Sequence, residues 1–598
     1  MFLPYVSSTA KKRTFQTSFY GYNHTEGCRD GEFYDMKNMS SDLYPVLSPR
    51  SKRGVYAYPD EGEFKAKAII GKDALCYVSG NKFYINNHAV DTIDGKPPFD
   101  IDPVIGKDGE EIPIQLVSMG AYVVIFPQRL YVNTLTQEYG SLDNHFETTA
   151  PVKFTLAKPD GEAYGKLDTT APDNPKNGDV YLDTTTTPTT VKVYSSASKS
   201  WSSVPTTYVK IECEGIGVGF EKGDGITLAG VKNEAVNELN GGHVIYDRSD
   251  NHITIIGIIG DEATAEGTED EPITVDRKAP EMDFVVECQN RLWGCKYGEI
   301  KEGSVVNSIY ASKLGDFKNW NVFSGIASDS YALSIGTDGK FTGAITYQGM
   351  PLFFKENCLH AMYGTAPSNY QMQTTVCEGV QYGSYRSMAI CENVLFYKGV
   401  NGIYGFDGSL PVLVSSAFGD DDYEEAVAGS IGHKYFVSMK YRDKDKHVLF
   451  VYDVQKTLWH KEDGTYVLQY CRNGDELYFI CKEDNLIHTV MDEKGSTEGR
   501  IEWSAETGII GKDTPDKKYI EKLTARVRLN PGSRIRVYVE YDSVGGWKHL
   551  FSMDGRTLKS VSIPIRLHRC DHIRIKFEGI GEAQIHSLAK TVKEGSDR

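Results

Sequence analysis

An apolar run, a tight polar turn, a second apolar run ending in Leu-Tyr or Phe-Tyr, and another turn recur along most of this 598-residue chain. The unit stands at 66–85 (AKAIIGKDALCYVSGNKFYI) and at 112–132 (IPIQLVSMGAYVVIFPQRLYV). Further copies open at Phe284 (FVVECQNRLWGC), Phe341 (FTGAITYQGMPLFFKENCLHAMYG) and Arg386 (RSMAICENVLFYKGVNGIYGFDG). The last two open at Ala426 (AVAGSIGHKYFVSMKY) and Tyr466 (YVLQYCRNGDELYFICKEDNLIHTV). Repetition at roughly 40–50 residues, with several short strands per copy, is the pattern of small sheets arrayed about an axis. One copy cannot bury its apolar face alone, so neighbouring copies must stack. The cadence predicts an all-β chain built on a β-propeller of about seven blades. A propeller is a scaffold and sets no chemistry by itself.

Composition agrees with strands and turns. Tyr 37, Phe 25 and Gly 58 stand against Met 12, a balance that favours pleated sheets and glycine turns over helices. One short helix is expected, over residues 420–427 in GDDDYEEAVAG, where acidic residues would sit at the positive end of the helix dipole. The net charge of −17 argues against a protein that grips free DNA by counterion release. The 11 cysteines follow no framework spacing. They read as buried thiols, among them Cys76, Cys358, Cys391, Cys471 and Cys481, in a reducing cytoplasm. The opening MFLPYVSSTAKKRTF lacks the apolar core of a signal peptide. The longest apolar stretch, ITIIGIIG at 253–260, is too short to span a bilayer, so no membrane insertion is expected.

Texture divides the chain into five parts. Residues 1–60 read as an extended arm, rich in Gly, Asn, Asp and aromatics. Tyr20, Tyr22, Phe33, Tyr34, Met36 and Leu43 would hold it on another surface, with Pro45 and Pro49 keeping it extended. Residues 61–149 carry the first part of the propeller. Residues 150–280 alternate strictly and are rich in Thr and Ser, as in a sheet exposed on one face. They read as an inserted β-domain, with an acidic solvated linker at GDEATAEGTEDEPIT. The propeller resumes over 281–500. Residues 515–598 hold KLTARVRLN, RIRVYVEYD, KSVSIPIRL and HIRIKFEGIG, four short alternating strands of a C-terminal β-sandwich. Arg526, Arg528, Arg534, Arg536, Arg566, Arg569 and Arg574 make this end locally basic.

No catalytic motif stands out. HExxH, paired CxxC, GxSxG and phosphate-loop patterns are missing from the sequence. Cys288 and Cys295 have the wrong spacing for a metal knuckle. GIGVGF at 215–220 lies between strands and reads as a turn or bulge rather than a dinucleotide loop. GDDDYEE at 419–425 lacks the spaced ligands of a calcium loop. Paired acids for glycoside hydrolysis cannot be picked from sequence, because their separation is spatial. The expectation is a chain that is not an enzyme and holds no cofactor or metal. Trp201, Trp293, Trp320, Trp459, Trp503 and Trp547 are spread one to a structural element. Trp201, in the exposed SKSWSS turn, is the one position to test for a glycan contact.

Three stretches together resemble a known class. They are the arm DGEFYDMKNMSSDLYPVLSPRSKRG; the run from NRLWGC through NSIYASKLGDFKNWNVFSG and the copies at 341 and 386; and the ending RLNPGSRIRVYVEYD with IPIRLHRCDHIRIKFEGIGEAQIHSL. This pattern is similar to bacteriophage virion proteins of the tail nozzle, or tail tubular, class, including packaged-DNA stabilisation proteins. The resemblance implies a cyclic homo-oligomer, commonly a hexamer, that contacts portal, adaptor and other tail proteins. It also implies a place in the virion tail after synthesis in the host bacterial cytoplasm. Such a ring retains packaged double-stranded DNA and forms the channel for ejection. An acidic balance suits a wall along which DNA slides, so carboxylates rather than Lys or Arg are expected there. The alternative is a tail or baseplate protein that binds host surface glycans through the inserted or C-terminal β-domain.

Overall fold

The computed structural model describes residues 11–594 apart from 57–63, 94, 150, 163, 165–166, 187–188, 235, 260–265, 270–271, 301–302, 492–497, 513–516 and 567. The first ten residues of the expected arm and most of the acidic linker therefore lie outside the described residues. Among those described, the chain is strands and short 3-10 turns, with no α-helix.

Each repeated stretch forms an antiparallel sheet. The first holds Ala66–Gly71, Leu75–Ser79, Lys82–Ile85 and His88–Ala89; the second holds Gln115–Met119, Tyr122–Phe126, Leu130–Asn133 and Tyr139–Ser141. The third runs Phe284–Cys288, Arg291–Glu299, Val305–Ala311 and Tyr331–Ser334; the fourth runs Gly343–Tyr347, Met350–Lys355, Cys358–Tyr363 and Gln371–Val376. The fifth comprises Ala389–Cys391, Val394–Gly399, Gly402–Phe406 and Val412–Leu413; the sixth comprises Tyr423–Ile431, Lys434–Tyr441, His447–Asp453 and Leu458–Lys461. The seventh has Val467–Asn473, Glu476–Cys481 and Ile487–Thr489, and takes its outer strand, Gly54–Val55, from the N-terminal arm.

The hairpins close because their turn residues accept left-handed backbone. Gln289–Asn290, Gln348–Gly349 and Glu392–Asn393 all have positive φ, and each pair spans a two-residue loop. That geometry matches the twist of the flanking strands. Apolar faces of neighbouring sheets then interdigitate. Val78, Phe83, Ile125 and Val132 join the first sheet to the second, and Phe354, Leu352, Leu395 and Tyr397 join the fourth to the fifth. Phe436, Leu449, Leu477 and Phe479 join the sixth to the seventh. Ile69, Leu75 and Tyr77 of the first pack on Ile480 and Ile487 of the seventh.

The stretch between the second and third sheets builds an eight-stranded sheet, including Val152–Ala157, Tyr208–Glu212, Gly241–Ser249, His252–Ile256 and Thr274–Arg277. A small three-stranded sheet, Val180–Asp183, Thr190–Ser195 and Ser200–Ser203, belongs to the same core. Within the expected linker, Glu266–Glu269 is itself a strand paired to Val152–Ala157.

Three expectations are revised. Residues 420–427 are not a helix: Tyr423–Ile431 is a strand, kinked at Glu425 where the register slips. Burial of Tyr423 and Ala426 against the sixth sheet outweighs a weak helical start. The stretches expected as separate strands around Pro531-Gly532 form one strand, Lys518–Tyr541. Its register slips between Leu529 and Arg534, and it pairs with Lys548–Ile563 on both sides of the slip. The arm lies on its own chain. Lys11–Gln16 pairs with Ala583–Glu594, and Glu32–Lys37 with Glu502–Thr507. Gly21–Tyr22 links Glu32–Lys37 to the sixth sheet, so that one sheet runs from there to the C-terminal strands. Tyr22, Phe33 and Met36 are buried in the shared core, whereas Tyr20 and Leu43 stay exposed.

Gly21 makes the link close enough to form. Its φ is +84°, and a Cβ there would sit 2.3 Å from the Trp459 carbonyl oxygen. Gly21→Ala is expected to destabilise the chain by about 2–4 kcal/mol, from left-handed strain plus a clash with fixed backbone. Urea denaturation checks this; an unchanged midpoint would mean that the arm is not held here.

Candidate functional sites

The first strands of several sheets converge on a cavity of about 330 Å³, roughly the volume of ten waters at about 30 Å³ each. Gln115, Phe284, Ile345, Arg386, Ala428 and Gln469 are among its lining residues. Strand edges facing such a cavity leave backbone groups without ladder partners, and here side-chain amides supply them. Gln469 donates from Nε2 to the Ile69 carbonyl at 2.9 Å and accepts from the Ile69 N–H at 3.3 Å. Gln115 does the same for Asp283 and Val285. The Arg386 guanidinium crosses the cavity, donating to the carbonyls of Leu468 at 2.7 Å and Ile114 at 3.2 Å. Arg386 is the one charged side chain in the lining.

Trp201 lies on the outer face of the three-stranded sheet. The register puts Tyr181 opposite Lys192 and Tyr194 opposite Trp201. Alternation therefore gathers Tyr181, Asp183, Lys192, Tyr194 and Trp201 on one face, while Leu182 and Val191 point into the core. Tyr181 meets the indole edge-on at 4.8 Å between centroids, and Tyr194 is tilted against it at 5.2 Å. Lys192 and Asp183 are 3.7 Å apart beside them. The result is a half-buried aromatic patch with one flanking ion pair, a surface on which a sugar ring can stack. Sequence reasoning found Trp201 but missed its two tyrosine neighbours, because cross-strand register is not local in sequence.

Two buried ionic clamps hold the sheets together. In the first, the Arg53 guanidinium donates to Glu462 Oε2 at 2.5 Å and to Asp463 Oδ2 at 2.9 Å. Arg50 donates to both carboxylate oxygens of Glu498, at 2.6 and 2.9 Å. Burial pushes the Asp463 carboxyl up, but Arg53, the Thr465 hydroxyl and Arg50 more than offset this and hold it at about 2. In the second clamp, Arg277 pairs with Asp224 where both are buried. Asn319 of the third sheet's long loop donates to Asp224 Oδ1 at 2.9 Å and accepts from the Gly225 N–H at 2.8 Å. The eight-stranded sheet is thereby fixed to the third.

The remaining motifs have structural explanations. Asp422 pairs with Arg442 at 2.6 Å, within the acidic 419–425 segment. Residues 215–220 form a turn in which a Cβ on Gly217 would lie 1.8 Å from the Ser249 carbonyl oxygen. Cys288 and Cys295 are both free and buried. In the basic C-terminal end, Arg574 is satisfied by Glu506 and Glu540. A cleft of about 730 Å³ there carries Arg50, Lys52, Arg500 and Arg528 against Asp42 and Glu582.

No protein-family model matches the chain, and no curated protein matches it. Among solved structures it is similar to an exo-β-1,3-galactanase from Phanerochaete chrysosporium with galactose, at 10% identity and a TM-score of 0.19, covering 51% of this chain and 94% of that one. It is also similar to PorZ, a bacterial surface component of the type-IX secretion system of Porphyromonas gingivalis, at 10% identity and a TM-score of 0.17, covering 88% of this chain and 82% of that one. Another similar structure is a glycoside hydrolase, at 10% identity and a TM-score of 0.18, covering 50% of this chain and 96% of that one. The expectation that the chain is not an enzyme is withdrawn. A glycosidase's paired acids converge from distant positions, so missing local motifs exclude nothing. At this identity and TM-score the likeness assigns neither a reaction nor a residue.

Proposed function

We propose that the seven sheets form a closed seven-bladed propeller, and that this rigid body is a subunit of a homo-oligomeric ring in a bacteriophage tail, of the nozzle or head-completion kind. The ring retains packaged DNA and forms its exit channel. The observation that carries the reading is the narrowness of the space where the first strands of the sheets meet. A cavity of about 330 Å³ crossed by Arg386 cannot pass a duplex. A DNA channel must then lie between copies, which requires head-to-tail contacts that close a cycle. The shared core of the first and seventh sheets supports closure of the propeller. The arm, clamped at Arg50 and Arg53, supports a body stiff enough to tile. The resemblance of the arm and the C-terminal strands to nozzle proteins supports the setting, and the net charge of −17 suits a wall that does not hold DNA.

Mass photometry and negative-stain images of the purified chain test this. The expected result is a cyclic particle with a central hole wide enough for a duplex. A monomer that persists on concentration and on mixing with portal or adaptor proteins overturns it.

A second reading is favoured by the aromatic patch: adhesion to a host surface glycan through Tyr181, Tyr194 and Trp201. Loss of an aromatic stacking partner costs about 1–3 kcal/mol by analogy with base stacking. Trp201→Ala is therefore expected to weaken binding to a bacterial polysaccharide roughly 5- to 150-fold without moving the melting temperature. Product analysis on the same glycans reports hydrolysis directly. If no glycan on a broad panel is bound by the wild-type chain, this reading falls.

A further inference from the structure

The hairpin at the outer edge of the seventh sheet gathers a set of donors that the assembly reading does not use. Phe479 and His488 are direct cross-strand partners. Cys481 lies two residues beyond Phe479, so alternation puts it on the same face as His488. The turn between the strands, with Asn485 at a φ of 58°, brings Asp484 back over that face. Cys481 Sγ, an Asp484 carboxylate oxygen and a His488 ring nitrogen all lie within 4.8 Å of one another. The sequence pattern C-x2-D-x3-H is not a zinc knuckle, so the spacing alone gave no signal.

Each donor is held in place by a neighbour. His488 Nε2 is 2.9 Å from Asp484 Oδ2, and the imidazole stacks on Phe479 at 5.2 Å. The Leu486 N–H donates to the other Asp484 oxygen at 2.9 Å. Glu483 accepts the Cys481 thiol proton at 2.6 Å, and its second oxygen takes the Tyr466 N–H at 3.1 Å. Cys481 is only 8% exposed, whereas the Asp484 side is open to solvent. A buried sulfur, an oriented imidazole and a reachable carboxylate, with a solvent-facing fourth direction, match the S, N and O ligand preferences of a tetrahedral zinc ion.

We propose that Cys481, Asp484 and His488 bind one divalent transition-metal ion, zinc in preference, with water in the fourth position. Loading is an exchange without redox change. The thiol loses its proton, through Glu483 to solvent, and the Sγ–metal bond forms. The imidazole keeps one proton, moved to Nδ1, so that Nε2 can ligate. One proton is released per ion bound. Because His488 is also paired to Val55 of the arm, an ion here staples the hairpin that receives the arm strand. The proposal is independent of ring assembly.

The test uses the full-length chain without an affinity tag, freed of metal and titrated with Co²⁺ and then Zn²⁺. The expected result is one equivalent bound, with a thiolate-to-cobalt charge-transfer band and the visible bands of tetrahedral cobalt. Zinc then bleaches both and raises the melting temperature. Cys481→Ser is expected to abolish the charge-transfer band. Asp484→Asn, which keeps an oxygen for the Leu486 N–H, is expected to lower zinc affinity at least tenfold. Absence of stoichiometric binding by the wild-type chain overturns the proposal. So does a charge-transfer band that survives in Cys481→Ser, which would place the ion on another of the 11 cysteines.

Discussion

Arg53→Ala is expected to destabilise the chain by about 3–5 kcal/mol, because it strands two buried carboxylates rather than merely deleting a contact. Glu462 and Asp463 have side chains 7% and 20% exposed. Without the guanidinium, both face a desolvated site with one partner fewer. Arg53→Lys should recover only part of the loss, since an ammonium cannot reproduce the fork that reaches Glu462 and Asp463 together. The effect has a pH signature. Asp463 is held at about 2 in the folded chain, below the ordinary unfolded value of about 3.9. A depressed folded value gives stability that is fully present above about pH 4 and is lost as pH falls towards 2. The difference is worth about 2 kcal/mol from Asp463 alone. Glu498 adds in the same direction, since Arg50 and the Arg53 N–H outweigh its burial. Urea denaturation at neutral pH and near pH 3 should show the gap between wild type and Arg53→Ala narrowing in acid. A gap independent of pH would show that the carboxylates are not what Arg53 serves.

Arg277→Ala is expected to cost a similar 3–5 kcal/mol, but locally. Asp224 would keep the Asn319 amide and the Glu221 N–H at 2.9 Å, yet lose its compensating charge in a site where it is 2% exposed. The strain falls on the junction between the eight-stranded sheet and the third sheet. Hydrogen exchange should therefore accelerate at Gly225, whose N–H is bound by Asn319, before it changes in the fourth or fifth sheet. A double-mutant cycle with Asn319→Ala isolates the coupling. If exchange rises uniformly over the chain, the clamp is part of one cooperative core rather than a junction.

Much of the fold was legible because sheets of this kind are locally encoded. Val394–Gly399 and Lys434–Tyr441 are near-continuous apolar runs flanked by turn residues, and left-handed positions such as Asn290 and Asn393 mark the hairpins. The failures share one cause. The acidic start before Tyr423 reads as a helix only until a partner strand is known, and Pro531-Gly532 reads as a hairpin turn only if the chain must reverse there. Trp201 was visible as a candidate, although it lies half-buried on the strand Ser200–Ser203 rather than in an exposed turn. Tyr181 and Tyr194 were not linked to it, because the link is a register. Cys481, Asp484 and His488 had no recognised spacing, and a tight turn brings them together.

By itself the sequence determined the strand period, the positions of the reversals and the all-β character, since these depend on side-chain alternation and on backbone preferences within a few residues. Only the tertiary structure decided that the arm completes the seventh sheet, that Arg53 meets Glu462 across 409 positions, and that Arg386 reaches the carbonyls of both Ile114 and Leu468. Such pairings follow from which surfaces bury one another, and burial depends on partners remote in the chain that no local pattern records.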